Sequence, residues 1–300
     1  MLRPRNATHP YLMIAPTLLF LVVFFILPLG VAGWRSLYRW DLLTPPEFVG
    51  GQNYARLLET GEFTRALGIT LTYSVVVVAG CLVLGLLLAL ALNRPGKFVG
   101  FVRASVFSAY VVSWVSVALL FVWMLDANAG LLGRALRGIA PGGMLSSPDT
   151  AIHALAGVTI WKITGYAMVV FLAGLQDIPK ELYEAAALDG AGRWSRFWNV
   201  TWPMLRPTTA FVGTSSLIVS FQAFDVVRVM TQGGPANSTM VFVYAIYEHV
   251  FQNFRLGRAS ALIMLFFALL LVLTGLQLWA WKLGTGRREA ARGAGARARA

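Results

Sequence analysis

Six long stretches without charged side chains constrain the fold of this chain more than any other feature of its sequence. They cover residues 11–34, 66–93, 104–125, 150–176, 207–224 and 259–281, and only the fourth is interrupted, by His153 and Lys162. A helix that rises about 1.5 Å per residue needs roughly 18–20 apolar residues to cross about 30 Å of hydrocarbon. Each stretch is near or above that length. The sequence therefore predicts an all-α membrane protein with six transmembrane helices.

The composition argues against a chain made of soluble domains. Hydrophobic residues make up 57% of the sequence and charged residues only 13%, whereas soluble proteins carry about 25% charged residues. The first stretch has an alternative interpretation as a secretory signal peptide, because Arg3 and Arg5 precede it. A signal core is typically about 7–15 residues long, and this stretch is longer, so we interpret it as a span.

The basic residues are distributed unevenly between the two sides of the predicted membrane domain. Fifteen of the 25 lysine and arginine residues fall on the side of the N-terminus and eight on the other side. Because basic residues accumulate in cytoplasmic loops, both termini are predicted to be cytoplasmic. This distribution also explains the net charge of +12 without a nucleic-acid partner.

Three regions follow from this topology. We expect a cytoplasmic N-terminus over residues 1–10, a transmembrane domain over 11–282 and a basic cytoplasmic tail over 283–300. The tail consists almost wholly of arginine, alanine and glycine, a composition typical of disorder. Contact of the tail with anionic membrane lipid is the alternative to a solvated tail.

The sequence lacks the patterns of an enzyme or a metal protein. Cys81 is the only cysteine, the three histidines are far apart, and Gly96-Lys97 is followed by Phe98 rather than by the Ser or Thr of a nucleotide-binding loop. We therefore predict no catalytic residue, no metal site and no cofactor.

A charged segment at 177–205 separates the fourth stretch from the fifth, on the inner side. Pro179 is suited to the first turn of a helix and Glu181 to its positive end. Gly190 and Gly192 interrupt the helical pattern, and Pro203 limits how the next span begins. The pattern predicts a helix, a break and a second short helix. By itself it is compatible with an amphipathic loop helix that has no partner.

The order of residues in this segment narrows the interpretation. The run from Glu184 to Ala191, followed by Pro203, resembles the EAA loop of permeases from ATP-driven carbohydrate importers that depend on a binding protein. The resemblance is to the first permease of the pair in maltose-type and glycerol-phosphate-type importers. Further segments that resemble this family are Trp161–Tyr166, Phe171–Gln176, Ser220–Asp225, Met230–Pro235 and Phe251–Arg255.

The resemblance implies a multi-pass subunit of the bacterial inner membrane that is not itself an enzyme. Its implied partners are a second homologous permease, two cytoplasmic ATPase subunits that hydrolyse ATP, and an extracytoplasmic solute-binding protein. The residues implied in coupling to the ATPase are Glu184, Ala185, Ala186, Asp189, Gly190, Ala191 and Pro203. The implied mechanism is alternating access, in which this chain forms half of the pathway for a sugar or a related small polar solute.

Polar residues inside predicted spans are candidates for the solute pathway. Gln222 and Asp225 are three residues apart, so on a continuous helix they share a face, with Phe221 and Phe224 beside them. The alternative is that Asp225 forms a structural ion pair with Lys162 or Arg228.

Two other functions are compatible with a chain of this kind. An ion-coupled secondary transporter needs a titratable site, for which Asp225 is the candidate, and a membrane scaffold has no need of the segment at Glu184. The sequence does not reveal the solute.

Overall fold

The computed structural model of the chain describes residues 8–275. The predicted basic tail at 283–300 and most of the predicted N-terminal segment lie outside these residues. The described part of the chain divides into two compact units, one formed by residues up to 63 together with those from 246 onward, the other by residues 64–245.

The first unit contains two long apolar helical stretches, one at each end of the described chain, and a small hairpin. Helix α1 (Thr8–Leu21) continues through a π-helical turn (Val22–Ile26) into α2 (Leu27–Arg35). Strands β1 (Tyr38–Arg39) and β2 (Glu47–Phe48) pair antiparallel and are followed by α3 (Gln52–Glu59). The last described helix, α14, covers Leu256–Gly275.

The hairpin is a small exception within the all-α fold that the sequence predicts. Asp41 turns the chain between the strands, because its carboxylate accepts hydrogen bonds from the backbone N–H groups of Thr44 and Leu43 at 2.8 and 3.1 Å. The hydrogen bond from the backbone of Thr44 is the main reason that the pKa of Asp41 lies below its usual value. Asn53 then fixes α3 to this hairpin by donating to the carbonyls of Ser36 and Tyr38.

The second unit is a helical assembly arranged around one buried helix. Its helices are α4 (Glu62–Leu92), which begins at the end of the first unit, α5 (Lys97–Val111), α6 (Trp114–Met124), α7 (Leu131–Ala135), α8 (Pro148–Gln176), α9 (Lys180–Leu188), α10 (Arg193–Arg196), a π-helical turn (Phe197–Thr201), α11 (Trp202–Phe221), α12 (Asp225–Met230) and α13 (Phe242–Phe251), which ends in the first unit. Of these, α8 has the most extensive buried surface, including the fully buried Leu155, Met168 and Phe171.

Small residues allow neighbouring helices to approach α8 closely. A Cβ added to Gly165 would lie 2.4 Å from the carbonyl oxygen of Val106 and 2.9 Å from the Cα of Phe107, both on α5. From α4, Tyr73 contributes a hydroxyl that lies 2.6 Å from the hydroxyl of Thr159 on α8. Close backbone approach at small residues is the usual way in which helices associate in membranes.

Within residues 8–275 the predicted spans are mostly helical, but not all are single helices apolar enough to cross a bilayer. Among residues 8–275, four helices meet that requirement: Met13–Arg35, Glu62–Leu92, Pro148–Gln176 and Leu256–Gly275. The third predicted span is broken, since α5 and α6 meet at an angle of 100°; counted as one span, they bring the number to five. The fifth predicted span forms α11, which contains Arg206 and falls short of the requirement. The count of six therefore stays a prediction.

We expect Gly165→Ala to destabilise the protein and Gly157→Ala, on the same helix, not to. The added methyl group at residue 165 meets backbone atoms that cannot rotate away, and overpacking of this kind costs about 1–3 kcal/mol. Nothing lies within 4 Å of a Cβ added at Gly157, where alanine should raise helix stability by up to about 1 kcal/mol. Unfolding of the purified protein in detergent by increasing SDS measures both changes. Equal effects of the two substitutions would contradict the close packing of α5 on α8.

Candidate functional site

A cavity of about 530 Å³ lies within the second unit, beside the break between α5 and α6. Segments from α4, α8 and the junction of α11 with α12 complete its wall. The polar and aromatic residues that line it are Tyr73, Tyr110, Ser113, Trp114, Lys162, Gln222, Phe224 and Asp225. The volume is within the range of about 300–1,000 Å³ typical of small-molecule sites.

The break between α5 and α6 leaves backbone carbonyls without helical partners. Val112 (ψ 144°) and Ser113 (ψ 140°) are extended, so the chain leaves the α-helical conformation for two residues. The last four carbonyl groups of an α-helix accept no hydrogen bond from within the helix. In a membrane such groups need a protein partner, because hydrocarbon offers no hydrogen bonds.

Lys162 supplies that partner from the middle of α8. Its side chain is buried, with 2% of its surface exposed, and its Nζ donates to the carbonyl oxygens of Ala109 (3.2 Å), Tyr110 (3.1 Å) and Val112. The ammonium also lies 4.9 Å from the centre of the Trp114 ring, at the start of α6. A cation at the C-terminal end of α5 also interacts favourably with the helix dipole. The side chain of Lys162 therefore contacts both helices at the break, α5 through its carbonyls and α6 through Trp114.

The alternative in which Asp225 pairs with Lys162 is not what the structure shows. The ammonium of Lys162 donates to the backbone carbonyls of Ala109, Tyr110 and Val112 and not to the carboxylate of Asp225. The sequence did not suggest this arrangement, because the apolar stretch 104–125 contains neither glycine nor proline at the break.

Three of the four predicted pathway residues line the cavity. Gln222, Phe224 and Asp225 lie in its wall, whereas Phe221 is buried with 4% of its surface exposed and is not among the lining residues. The expectation that Gln222 and Asp225 share the face of one helix is also wrong. Helix α11 ends at Phe221 and α12 begins at Asp225, so the two polar side chains stand on either side of a helix junction.

The aromatic residues Tyr73, Tyr110 and Trp114 are part of the wall that sequence reasoning missed. The chain contains 19 phenylalanines, 10 tryptophans and 9 tyrosines, so an aromatic residue in a span carries no signal of its own. Tyr110 is held in place by stacking on Tyr166 of α8, with ring centres 5.2 Å apart.

The segment after α8 has the helix, glycine break and second helix that the sequence predicts. Helix α9 ends where Gly190 adopts a positive φ of 72°, and the N–H of Ala191 then bonds to the carbonyl of Ala186 at 2.9 Å. The short α10 follows, and the Nε of Arg196 donates back to the carbonyl of Ala191 at 2.8 Å. Positive φ is readily available to glycine, which explains the residue at this turn.

The predicted coupling residues lie along an accessible surface of this segment. The side chains of Glu184, Ala185 and Asp189 are exposed, and Pro203 occupies the first turn of α11, where proline is tolerated. Two apolar side chains on the same segment are also strongly exposed: Leu188 at 90% and Trp194 at 74%. Within the segment, α9 is tied to the π-helical turn that precedes α11 through the hydroxyls of Tyr183 and Thr201, 3.0 Å apart.

Residues 81–280 match the model of a protein family described as the inner membrane component of binding-protein-dependent transport systems. The chain is 36% identical to the trehalose/maltose transport system permease protein MalF of Thermococcus litoralis, over 96% of this chain and 97% of that protein. It is 33% identical to the sn-glycerol-3-phosphate transport system permease protein UgpA of Agrobacterium fabrum, over 91% and 94% of the two chains.

Solved structures resemble the chain over most of its length. A crystal structure of a bacterial ABC transporter that imports the acidic polysaccharide alginate contains a chain with a TM-score of 0.74 and 26% identity, covering 89% of this chain and 92% of that one. A second crystal structure, of a bacterial alginate ABC transporter in complex with an alginate pentasaccharide-bound periplasmic protein, gives a TM-score of 0.74 at 25% identity, covering 89% and 91%.

Replacement of Lys162 by methionine should lower the free energy of unfolding by at least about 2 kcal/mol, because it leaves buried carbonyls at the end of α5 without a donor. Lys180→Met, at an exposed position on α9, is the matched control and should change stability little. The same SDS titration in detergent compares the two variants. If Lys162→Met is as stable as the control, the ammonium does not support the break.

Proposed function

We propose that this chain, which belongs to the family of inner membrane components of binding-protein-dependent transport systems, forms half of the solute pathway of an ATP-driven importer. It is the permease component of an ABC sugar importer and a multi-pass protein of the bacterial inner membrane, and permeases of this family are not enzymes themselves. The proposed solute is a sugar or a related small polar molecule, which crosses by alternating access.

One observation carries the proposal: the exposed apolar surface on the segment between α8 and α11. Leu188 and Trp194 are 90% and 74% exposed, and the side chain of Glu184, one turn before Leu188 on α9, is exposed as well. Apolar side chains exposed beside polar ones are typical of a protein interface. We assign this surface to the contact with a cytoplasmic ATPase.

Further partners complete the proposed importer. A second, homologous permease would form the other half of the pathway, and each permease would contact one of two ATPases. A solute-binding protein on the outer side is supported by the name of the family and by the related alginate transporter in complex with a periplasmic protein.

The connections of the segment provide a mechanical path to the cavity. Helix α9 follows α8 after only three residues, 177–179, and α8 carries Lys162 at the break between α5 and α6. At its other end the segment continues into α11, which ends at the cavity beside Gln222. A displacement of the segment by the ATPase would therefore move two of the elements that build the cavity wall.

For this path to work, the ATPase must interact with different free energies with the inward-facing and the outward-facing conformations of the permease. ATP binding changes the populations of inward-facing and outward-facing conformations only as far as the ATPase interacts differently with them. The segment between α8 and α11 is suited to provide this difference, because it is joined directly to two helices of the cavity wall and would change position with them. An ion-coupled secondary transporter has no comparable need for an exposed apolar segment.

Charge reversal at Glu184 should weaken the contact with the ATPase. We expect Glu184→Lys to reduce the amount of ATPase that co-purifies with the gently solubilised complex by about tenfold, the effect of losing roughly 1.4 kcal/mol of binding free energy. Glu59→Lys, on the exposed surface of α3, makes the same change in charge away from the segment and should leave co-purification unchanged.

The outcome is measured by quantifying the chains retained on an affinity tag of the permease. Absence of any ATPase from the unsubstituted complex, even after cross-linking, would contradict the proposed function. An ATPase that is retained equally by both variants would instead place the contact elsewhere on this chain.

A further inference from the structure

The family leaves the charge of the solute open, since relatives are named for neutral trehalose and maltose and for the anion sn-glycerol 3-phosphate. We propose that the cavity beside the α5–α6 break admits an uncharged polyhydroxylated solute and excludes phosphate and carboxylate anions. This inference rests on the proposed function, because it assumes that the cavity belongs to the solute pathway.

The single cation in the cavity wall is not available to an anion. Of the residues that line the cavity, only Lys162 and Asp225 carry a formal charge. A lysine ammonium has three N–H donors, and the carbonyls of Ala109, Tyr110 and Val112 take all three. A phosphate group could gain a donor from Lys162 only by leaving one of these carbonyls without its partner.

Asp225 contributes a negative charge to the cavity wall. Across the described chain, no hydrogen bond or ion pair is recorded for its carboxylate, which is half-buried at the start of α12. Arg228, one turn further along α12, is not among the lining residues. Because the N–H groups of Lys162 are all bonded to the backbone, the charged group of the wall that a solute can bind directly is the carboxylate of Asp225, which repels anions and accepts hydrogen bonds from hydroxyl groups.

The rest of the wall has the chemistry of a carbohydrate site. The rings of Tyr110, Trp114 and Phe224 provide apolar surface for the C–H face of a sugar ring, and the exposed amide of Gln222 can both donate and accept hydrogen bonds. The hydroxyl of Tyr73 is paired with Thr159. None of these groups carries a positive charge that could compensate a solute anion.

Charge-selective thiol reagents test the sign of the field in the cavity directly. A cysteine is introduced at Ser113, an exposed lining residue at the break, in the full chain with Cys81→Ala. The purified complex in detergent is then labelled with a cationic and an anionic methanethiosulfonate of similar size. Each rate is divided by the rate of the same reagent with free 2-mercaptoethanol.

The expected result is a normalised preference of at least tenfold for the cationic reagent, and a preference near one when Asp225→Asn is added. Gln222→Cys is the second position, in case the first variant folds poorly, and should show the same preference. Equal rates for the two reagents, or faster labelling by the anionic one, would overturn the inference. A preference that persists in Asp225→Asn would overturn the role of Asp225.

The failure of this inference is distinguishable from the failure of the proposed function. Labelling depends on the charge of the cavity and requires neither transport nor ATP. If the preference is found but no ATPase co-purifies, the cavity excludes anions in a protein that is not the proposed importer subunit. If the ATPase co-purifies and the preference is absent, the importer remains and the solute class is wrong.

Discussion

The cavity in this protein depends on one ammonium group that binds to backbone rather than to another side chain. Lys162 reaches from the buried helix α8 to three carbonyls at the end of α5, and its charge also lies against the ring of Trp114. A bend of 100° inside an apolar environment would otherwise leave these carbonyls without partners. The cost of burying the ammonium is offset because the same contacts satisfy both groups. Space for a solute exists where the helix is interrupted.

Two helices connect the cavity to the segment that carries the proposed ATPase contact. The buried helix that presents Lys162 is the one that leads into α9, and the helix that follows the segment ends beside Gln222. Helices transmit displacement along their axes because their internal hydrogen bonds resist shortening. The close approach of α5 to Gly165 adds a second rigid contact on the same helix. The cavity wall is therefore built on elements that are directly connected to the segment, and in the proposed mechanism the segment moves them.

The sequence predicted those features that have a local cause. Gly190, Gly192 and Pro203 determine the turn and the helix start around the exposed segment, and each is readable without a tertiary contact. The break between α5 and α6 has no such signal, since it occurs in a run without glycine or proline and is maintained by Lys162 from another helix. The junction at Gln222 and Asp225 is similar, and the assumption of one continuous helix there was wrong. The hairpin between Tyr38 and Phe48 has strands of only two residues, which are too short to give a pattern in the sequence.

Because Lys162 binds backbone carbonyls, the side chains around the break can change without loss of the bend. Every residue type offers the same carbonyl oxygen, so the support given by Lys162 does not depend on the side chains at residues 109, 110 and 112. Tyr110 and its neighbours can therefore be replaced during evolution while the bend is retained. The residues proposed to contact the solute can therefore be exchanged one at a time during evolution, while Lys162 preserves the bend that forms the cavity.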